Sequence, residues 1–192
     1  MLTKRFIISD THFGHANIIQ YEGRPFKDAD EMDRVLIKNW NSVVSKDDII
    51  WHLGDFSLKS NHDYIKSIVS RLHGRKYIVL GNHDNAEGDF VKRWTGMGFE
   101  FVSKYPVIVD NYFILSHEPV FLCSNEPISE EIKGNGLKKS NFTHCHNIHG
   151  HLHKLKYSDE KHYTNVSVEN TNYMPLDLDI LIHSIIEKHN SE

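Results

Sequence analysis

The 192-residue sequence predicts an α/β protein built on a layered sheet, and three observations carry that prediction. Short apolar runs alternate with amphipathic helical stretches between Phe6 and Met97, and the order strand, helix, strand, helix, strand marks a layered α/β sheet. Each apolar run ends in Asp, Asn or His, side chains with little to offer a core. From Phe99 onward the pattern changes to short strands joined by tight turns. In open α/β sheets ligands bind outside the carboxyl ends of the strands, so those polar ends are where function is sought.

Phe6-Ile7-Ile8 is the first short strand, followed by the polar loop Ser9-Asp10-Thr11-His12-Phe13-Gly14-His15. Residues 28–44 predict a helix, because Met32, Val35, Leu36, Ile37, Trp40 and Val43 form a broad apolar stripe. Ile49-Ile50-Trp51 is a second strand ending at His52 and Gly54-Asp55. Residues 61–72 predict the next helix, with Ile65, Ile68, Val69 and Leu72 in helical register, Asn61 as N-cap and Gly74 as stop. Tyr77-Ile78-Val79-Leu80 runs straight into Gly81-Asn82-His83-Asp84. Phe90, Trp94 and Met97 mark a third helix, closed by Gly96 and Gly98. Phe101-Val102, Val107 to Val109 and Tyr112 to Leu115 predict strands, with Asp110-Asn111 as a hairpin turn. Residues 120–145 form a polar stretch too long for a plain connector, and it is expected to act as a specificity insertion. Ile148 precedes His149-Gly150-His151-Leu152-His153, Val166-Ser167-Val168 predicts a strand, and residues 177–189 predict a closing helix. With no repeat, low-complexity tract or linker, residues 1–192 read as a single domain.

Composition narrows the classes. The hydrophobic fraction of 39% and charged fraction of 25% are those of an ordinary globular chain. A formal net charge of −4 argues against a broad basic surface, so no obligate nucleic-acid partner is expected. Only Cys123 and Cys145 are present, which gives no disulfide framework and favours a cytoplasmic setting. The polar motif at Asp10 comes too early for a signal peptide, and no apolar run approaches a membrane span. A monomer or small homo-oligomer is expected.

The unusual count is histidine, at 15. Asp10 and His12 follow the first strand, Asp55 the second, Asn82 and His83 the third, His117 the strand ending at Leu115, and His151 and His153 the strand at Ile148. Residues two apart on extended backbone point the same way, so Asp10 and His12, and likewise His151 and His153, are each expected to face one ion. Imidazole and oxygen donors without thiolate suit Mn²⁺, Fe, Zn²⁺ or Ni²⁺ better than Ca²⁺. The donors are too many for one ion that keeps an open position, and two ions sharing a carboxylate explain the number.

The order Asp-x-His, Gly-Asp, Gly-Asn-His-Asp, His, Gly-His-x-His, carried by Asp10 to His153, resembles the calcineurin-like metallophosphoesterases, and the first motif resembles their small stand-alone bacterial and phage phosphohydrolases. The segment Asn165-Val166-Ser167-Val168-Glu169 with Asn172, Tyr173 and Pro175 resembles the same family. The resemblance implies an α/β/β/α sandwich of two mixed sheets flanked by helices. It implies one metal, Mn²⁺ by preference, on Asp10, His12, Asp55 and His153, and a second on Asp55, Asn82, His117 and His151. His83 is then the general acid, oriented by Asp84, and a hydroxide between the ions is the nucleophile. Such ions, ~3.5–4 Å apart, clamp the attacking and leaving oxygens. Ser116 stands where many relatives carry Gly.

Several residues stay open between roles. His15, Asn17 and Arg24 either hydrogen-bond within the loop or contact the substrate phosphate, for which Arg is well suited. His52 is either a packed core residue or a partner that orients a ligand. His144, Cys145, His146 and His149 crowd the last motif and read better as mouth residues than as a third metal site. The expected substrate is a small phosphodiester or nucleotide. A DNA or RNA nuclease of the same fold is the alternative, and a catalytically inactive binding scaffold is disfavoured because every ligand and His83 are present.

Overall fold

The computed structural model describes residues 2–59, 61–120, 145–155 and 159–190. Four strands, β1 (Arg5–Ile8), β2 (Ile49–His52), β3 (Arg75–Val79) and β4 (Phe101–Ser103), run parallel in one sheet. A two-residue antiparallel strand at its edge completes the order β4-β3-β2-β1-β9, where β9 is Leu176–Asp177. The second sheet has the order β5-β6-β7-β8. Its strands are β5 (Val107–Val109), β6 (Phe113–Leu115), β7 (His146–His149) and β8 (Tyr163–Asn165), antiparallel only between β5 and β6. These are the two mixed sheets, flanked by helices, that the family resemblance implies.

Strand alternation divides the core in two. Phe6, Ile8, Ile50 and Ile78 point to one face of the first sheet and Ile7, Trp51 and Val79 to the other. The first face is covered by α1 (Ala16–Glu22), α2 (Ala29–Val43), α3 (His62–Val69) and α4 (Phe90–Gly96), through Ile18, Leu36, Trp40, Ile65, Ile68 and Trp94. The opposite face packs on Phe113, Leu115 and Ile148 of the second sheet and on Ile182 and Ile185 of α5 (Leu178–Asn190). Each such side chain contributes roughly 1.5–3 kcal/mol of burial, so both sheets are held by apolar contact on their shared side.

The predicted helix boundaries follow their caps. Asp28 accepts from the Glu31 amide at 2.8 Å, and Asn61 accepts from Asp63 and Tyr64. Asp110 and Asn111 both take left-handed backbone, φ 49 and 65, as a primed hairpin turn requires. Two expectations are corrected, and one element is added. Helix α3 ends at Val69 and a turn carries Leu72 and Gly74. Helix α1 was not anticipated, since its seven residues bury only Ile18. The strand expected at Val166-Ser167-Val168 is β8, three residues earlier; Val166 and Val168 are buried, but the chain enters a 3-10 turn at Val168–Asn170. Ser9 accepts from and donates to this segment (Ser9 N–H to Val166 O, 3.1 Å; Val168 N–H to Ser9 O, 3.1 Å), which stitches β1 to the end of β8. The expected specificity insertion, with Cys123 and His144, lies outside the described residues apart from its ends.

Candidate active site

The site is assembled where both sheets end. The turns after β1, β2 and β3 carry Asp10 and His12, Asp55, and Asn82 with His83; those after β6 and β7 carry His117, and His151 with His153. The β1 and β2 turns stay zipped beyond their strands, through Asp10 N–H to Gly54 O, His12 N–H to Asp55 O and Phe13 N–H to Phe56 O at 2.9–3.1 Å. Asp10, His12, Asp55, His151 and His153 all adopt positive φ, between 48 and 66. The expectation that these pairs alternate on extended backbone is therefore wrong. Left-handed turns aim each side chain individually, which is how His151 and His153, two residues apart, part company. Close approach also needs bare backbone: a Cβ at Gly150 would overlap Ser9 and Asp10, and one at Gly81 would overlap Asp55.

Donor atoms of Asp10, His12 and His153 lie within 4.8 Å of one another, and so do those of Asp55, His117 and His151. The Asp55 Oδ2 stands between the groups, 3.6 Å from His12 Nε2 and 3.4 Å from His117 Nε2. The Asn82 Oδ1 joins the second group, 2.9 Å from His117 Nε2 and 3.0 Å from His151 Nδ1. Those two ring nitrogens are themselves 3.2 Å apart. His12 Nε2 is buried without a hydrogen-bond partner. Converging lone pairs, with an orphaned buried nitrogen among them, fit divalent cations, and the mixed nitrogen and oxygen donors suit a transition metal.

The electrostatics agree with that fit. Burial lowers the His12 imidazole to about 2, so it stays neutral with its lone pair open. Burial also opposes charge on Asp55, but His117, the His83 amide and His12 outweigh it and hold the carboxyl below its usual range. His117 is desolvated too, yet Asp55, Asp10 and the Leu53 carbonyl push it up to about 9. A proton held there is one that a bound cation displaces. The rings are oriented from behind: His117 Nδ1–H donates to Leu53 O at 2.8 Å and His153 Nδ1–H to Glu169 Oε1 at 3.0 Å, so Nε2 is the position from which a cation would displace a proton.

Arg24 and His52 take roles among those left open, and Asp84 takes one other than expected. Arg24 does not face a substrate. Its guanidinium is 0% exposed and donates to Asp10 O (2.8 Å), Thr11 O (3.0 Å) and Glu169 Oε1 (2.9 Å), clamping the first turn from beneath. Asp84 does not orient His83. Its carboxylate accepts from the amides of Asp55 (2.7 Å), Phe56 (3.1 Å) and Gly81 (2.9 Å), so it holds the Asp55 turn against the β3 turn. His52 is both a packed residue and an orienting one: it stacks on Trp40 and its Nε2 bonds Thr11 Oγ1 at 2.9 Å, while burial lowers it to about 3. Glu169 is the functional residue not singled out from the residues themselves, although it closes a segment that resembles the family. Glu22 also comes within range of His153 and Glu169; the Glu169 Oε1 serves Arg24 and His153, and its Oε2 is buried without a hydrogen-bond partner.

His83 is exposed; its ring centroid is 5.7 Å from His12 and its amide donates to Asp55 Oδ1 at 2.9 Å. His15 is half-buried beside His12, with ring nitrogens 3.3 Å apart. Asn17 is exposed on α1 and makes no side-chain hydrogen bond among the described residues. His146 bonds Lys161 O and Thr164 Oγ1, and His149 bonds Gly150 O, so neither joins the two donor groups. Ser116 is buried and bridges Glu118 O and the Asn147 amide. A cleft of about 430 Å³ opens beside Asn82 and His117.

This fold and these strand ends define a phosphoesterase-type metal site, and comparison with known proteins agrees. Residues 4–169 match the calcineurin-like phosphoesterase superfamily domain, and the chain belongs to that superfamily. It is 36% identical over 191 residues to an uncharacterized protein of Methanocaldococcus jannaschii, covering 97% of this chain and 93% of the relative. It is 39% identical over 85 residues to the gene 66 protein of Mycobacterium phage L5, 43% of this chain and 41% of that one. Among solved structures, a protein of unknown function from Aquifex aeolicus superposes with a TM-score of 0.69 at 28% identity, covering 95% of this chain and 99% of the other. Membership implies metal-dependent phosphoester hydrolysis. No helix among the described residues is long and apolar enough to cross a membrane.

Proposed function

We propose that the protein is a dinuclear metal-dependent phosphoesterase acting on a small phosphodiester or nucleotide. One observation carries the reading: the Asp55 Oδ2 lies 3.6 Å and 3.4 Å from imidazole nitrogens of two separate donor groups, as a shared carboxylate must. Asp10, His12, His153 and Asp55 would hold one ion, and Asp55, Asn82, His117 and His151 the other, with Mn²⁺ preferred and Fe, Zn²⁺ or Ni²⁺ accommodated by the same donors. Bound ions supply positive charge to the phosphoryl oxygens and lower the pKa of the attacking water. Asp10 and Asp55 bring two negative charges against four from the ions, leaving an excess that attracts phosphate. His83, exposed beside the first group and bonded through its amide to Asp55, donates a proton to the leaving oxygen. His15 lies where it can touch the phosphate, and Asn17 is carried by the same turn into α1.

The reading is tested by metal analysis together with hydrolysis of bis(4-nitrophenyl) phosphate in Mn²⁺, Fe²⁺, Zn²⁺ and Ni²⁺. Two ions per chain and metal-dependent turnover are expected; a chain that binds no metal and cleaves nothing is an inactive scaffold. Cleavage of duplex DNA in preference to small diesters would favour the nuclease, against the net charge of −4. The cysteine count favours a cytoplasmic setting.

A further inference from the structure

The cleft beside the second donor group is built differently from the site it adjoins. Asn82 and His117 form one end of it, and Leu80, Ala86, Pro106, Pro119 and Val120 line it with apolar surface. Its volume of about 430 Å³ is within the usual range for a pocket that takes a small organic ligand. Two charged residues also line it, Lys104 and Glu118. The Lys104 Nζ sits 5.5 Å from the centre of the Phe90 ring and 5.3 Å from that of Tyr105, and it makes no ion pair among the described residues. Aromatic faces attract an ammonium without neutralising it. The charge is thus positioned and left unspent. Glu118 is exposed, and its carboxylate makes no ion pair or hydrogen bond among the described residues, so it can accept from a hydroxyl or amino group.

Resting on the phosphoesterase reading above, we infer that this cleft is a substrate subsite. It takes one organic substituent of the ester while the reacting phosphoryl group lies at the donor groups, and that substituent carries a second anionic group held by Lys104. Apolar walls, one unspent cation and one acceptor match the base, second phosphate and hydroxyls of a nucleotide. They do not match a simple alkyl or aryl ester, which would leave the ammonium unused. The substrate class is therefore a small phosphodiester containing a nucleotide with a phosphate of its own.

The test compares a dinucleotide bearing a 5′-phosphate with the same dinucleotide lacking it, in Mn²⁺, for the wild type and for Lys104→Met. The wild type is expected to prefer the phosphorylated dinucleotide by about two- to fivefold in kcat/KM, as one solvent-exposed charge contact allows. Lys104→Met is expected to abolish that ratio through KM, and Lys66→Met on the exposed side of α3 to keep it. A wild type without the preference, or a Lys104→Met variant that keeps it, overturns the subsite. Hydrolysis of bis(4-nitrophenyl) phosphate with neither dinucleotide cleaved overturns the nucleotide class. No hydrolysis of any ester with any metal overturns the phosphoesterase reading itself, which is a separate outcome.

Discussion

The two donor groups meet at Asp55 but are supported in opposite ways. Asp10 and His12 are 0% and 2% exposed, and their turn is gripped by Arg24, Ser167 and the β2 turn. His153 is tethered to the same clamp through Glu169. The second group has buried Asp55 and His117 but a half-buried His151 and an exposed Asn82, and its members lean on one another. The first is thus pre-formed by a buried ionic scaffold, and the second has no such ion pair behind it among the described residues. The difference teaches that the proposed ligands of the first group are positioned by a buried ion pair outside it, whereas those of the second are positioned by the Leu53 carbonyl, the Asp84 carboxyl and one another.

The sharpest way to break this comparison is the shared residue. Asp55→Asn is expected to lower phosphoester hydrolysis on the order of 10³-fold or more and to reduce bound metal at both groups, as elemental analysis would read. Loss at one group only would mean that the carboxylate is not shared. His83 belongs to neither group, so His83→Ala should keep the metal content and lose ~10²–10⁴ in kcat. The loss should be larger for a methyl than for a nitrophenyl leaving group, and an equal loss for both would remove the acid role. Arg24→Met leaves Glu169 buried without its cation and should destabilise the fold by about 3–5 kcal/mol in urea unfolding. Adding Glu169→Met should recover much of that, because the unpaired charge goes with it. Glu169→Gln is the mildest change. It should weaken metal at the first group by about 10–100-fold while leaving the second unchanged. An equal weakening at both would erase the contrast.

Much of this architecture was legible from residue order. Apolar runs of alternating face placed the parallel strands, and the polar residues at their ends placed the site, because both signals are local. What the chain does at those ends was not legible. Alternation along an extended strand is the default expectation for Asp-x-His and His-x-His, yet here each of these residues occupies left-handed backbone that no spacing announces. Arg24 carries the same charge whether it meets a substrate phosphate or two main-chain carbonyls; only tertiary placement, 145 residues along the chain from Glu169, decides. That Asp84 orients His83 is what the family resemblance implies, but its carboxylate turns inward to the Asp55 and Phe56 amides. Short elements failed for another reason: α1 buries one side chain and β9 has two residues, too little apolar content to show a period.

The left-handed backbone at five of the proposed ligands, Asp10, His12, Asp55, His151 and His153, has a consequence for how this protein can change. Each position would rest more easily as glycine, by about 1–2 kcal/mol where the side chain supplies nothing else. Drift toward a sturdier fold and retention of the active centre therefore pull in opposite directions at the same residues. A relative that had lost its chemistry would be expected to carry glycine or asparagine at these places and to melt later than its active cousin.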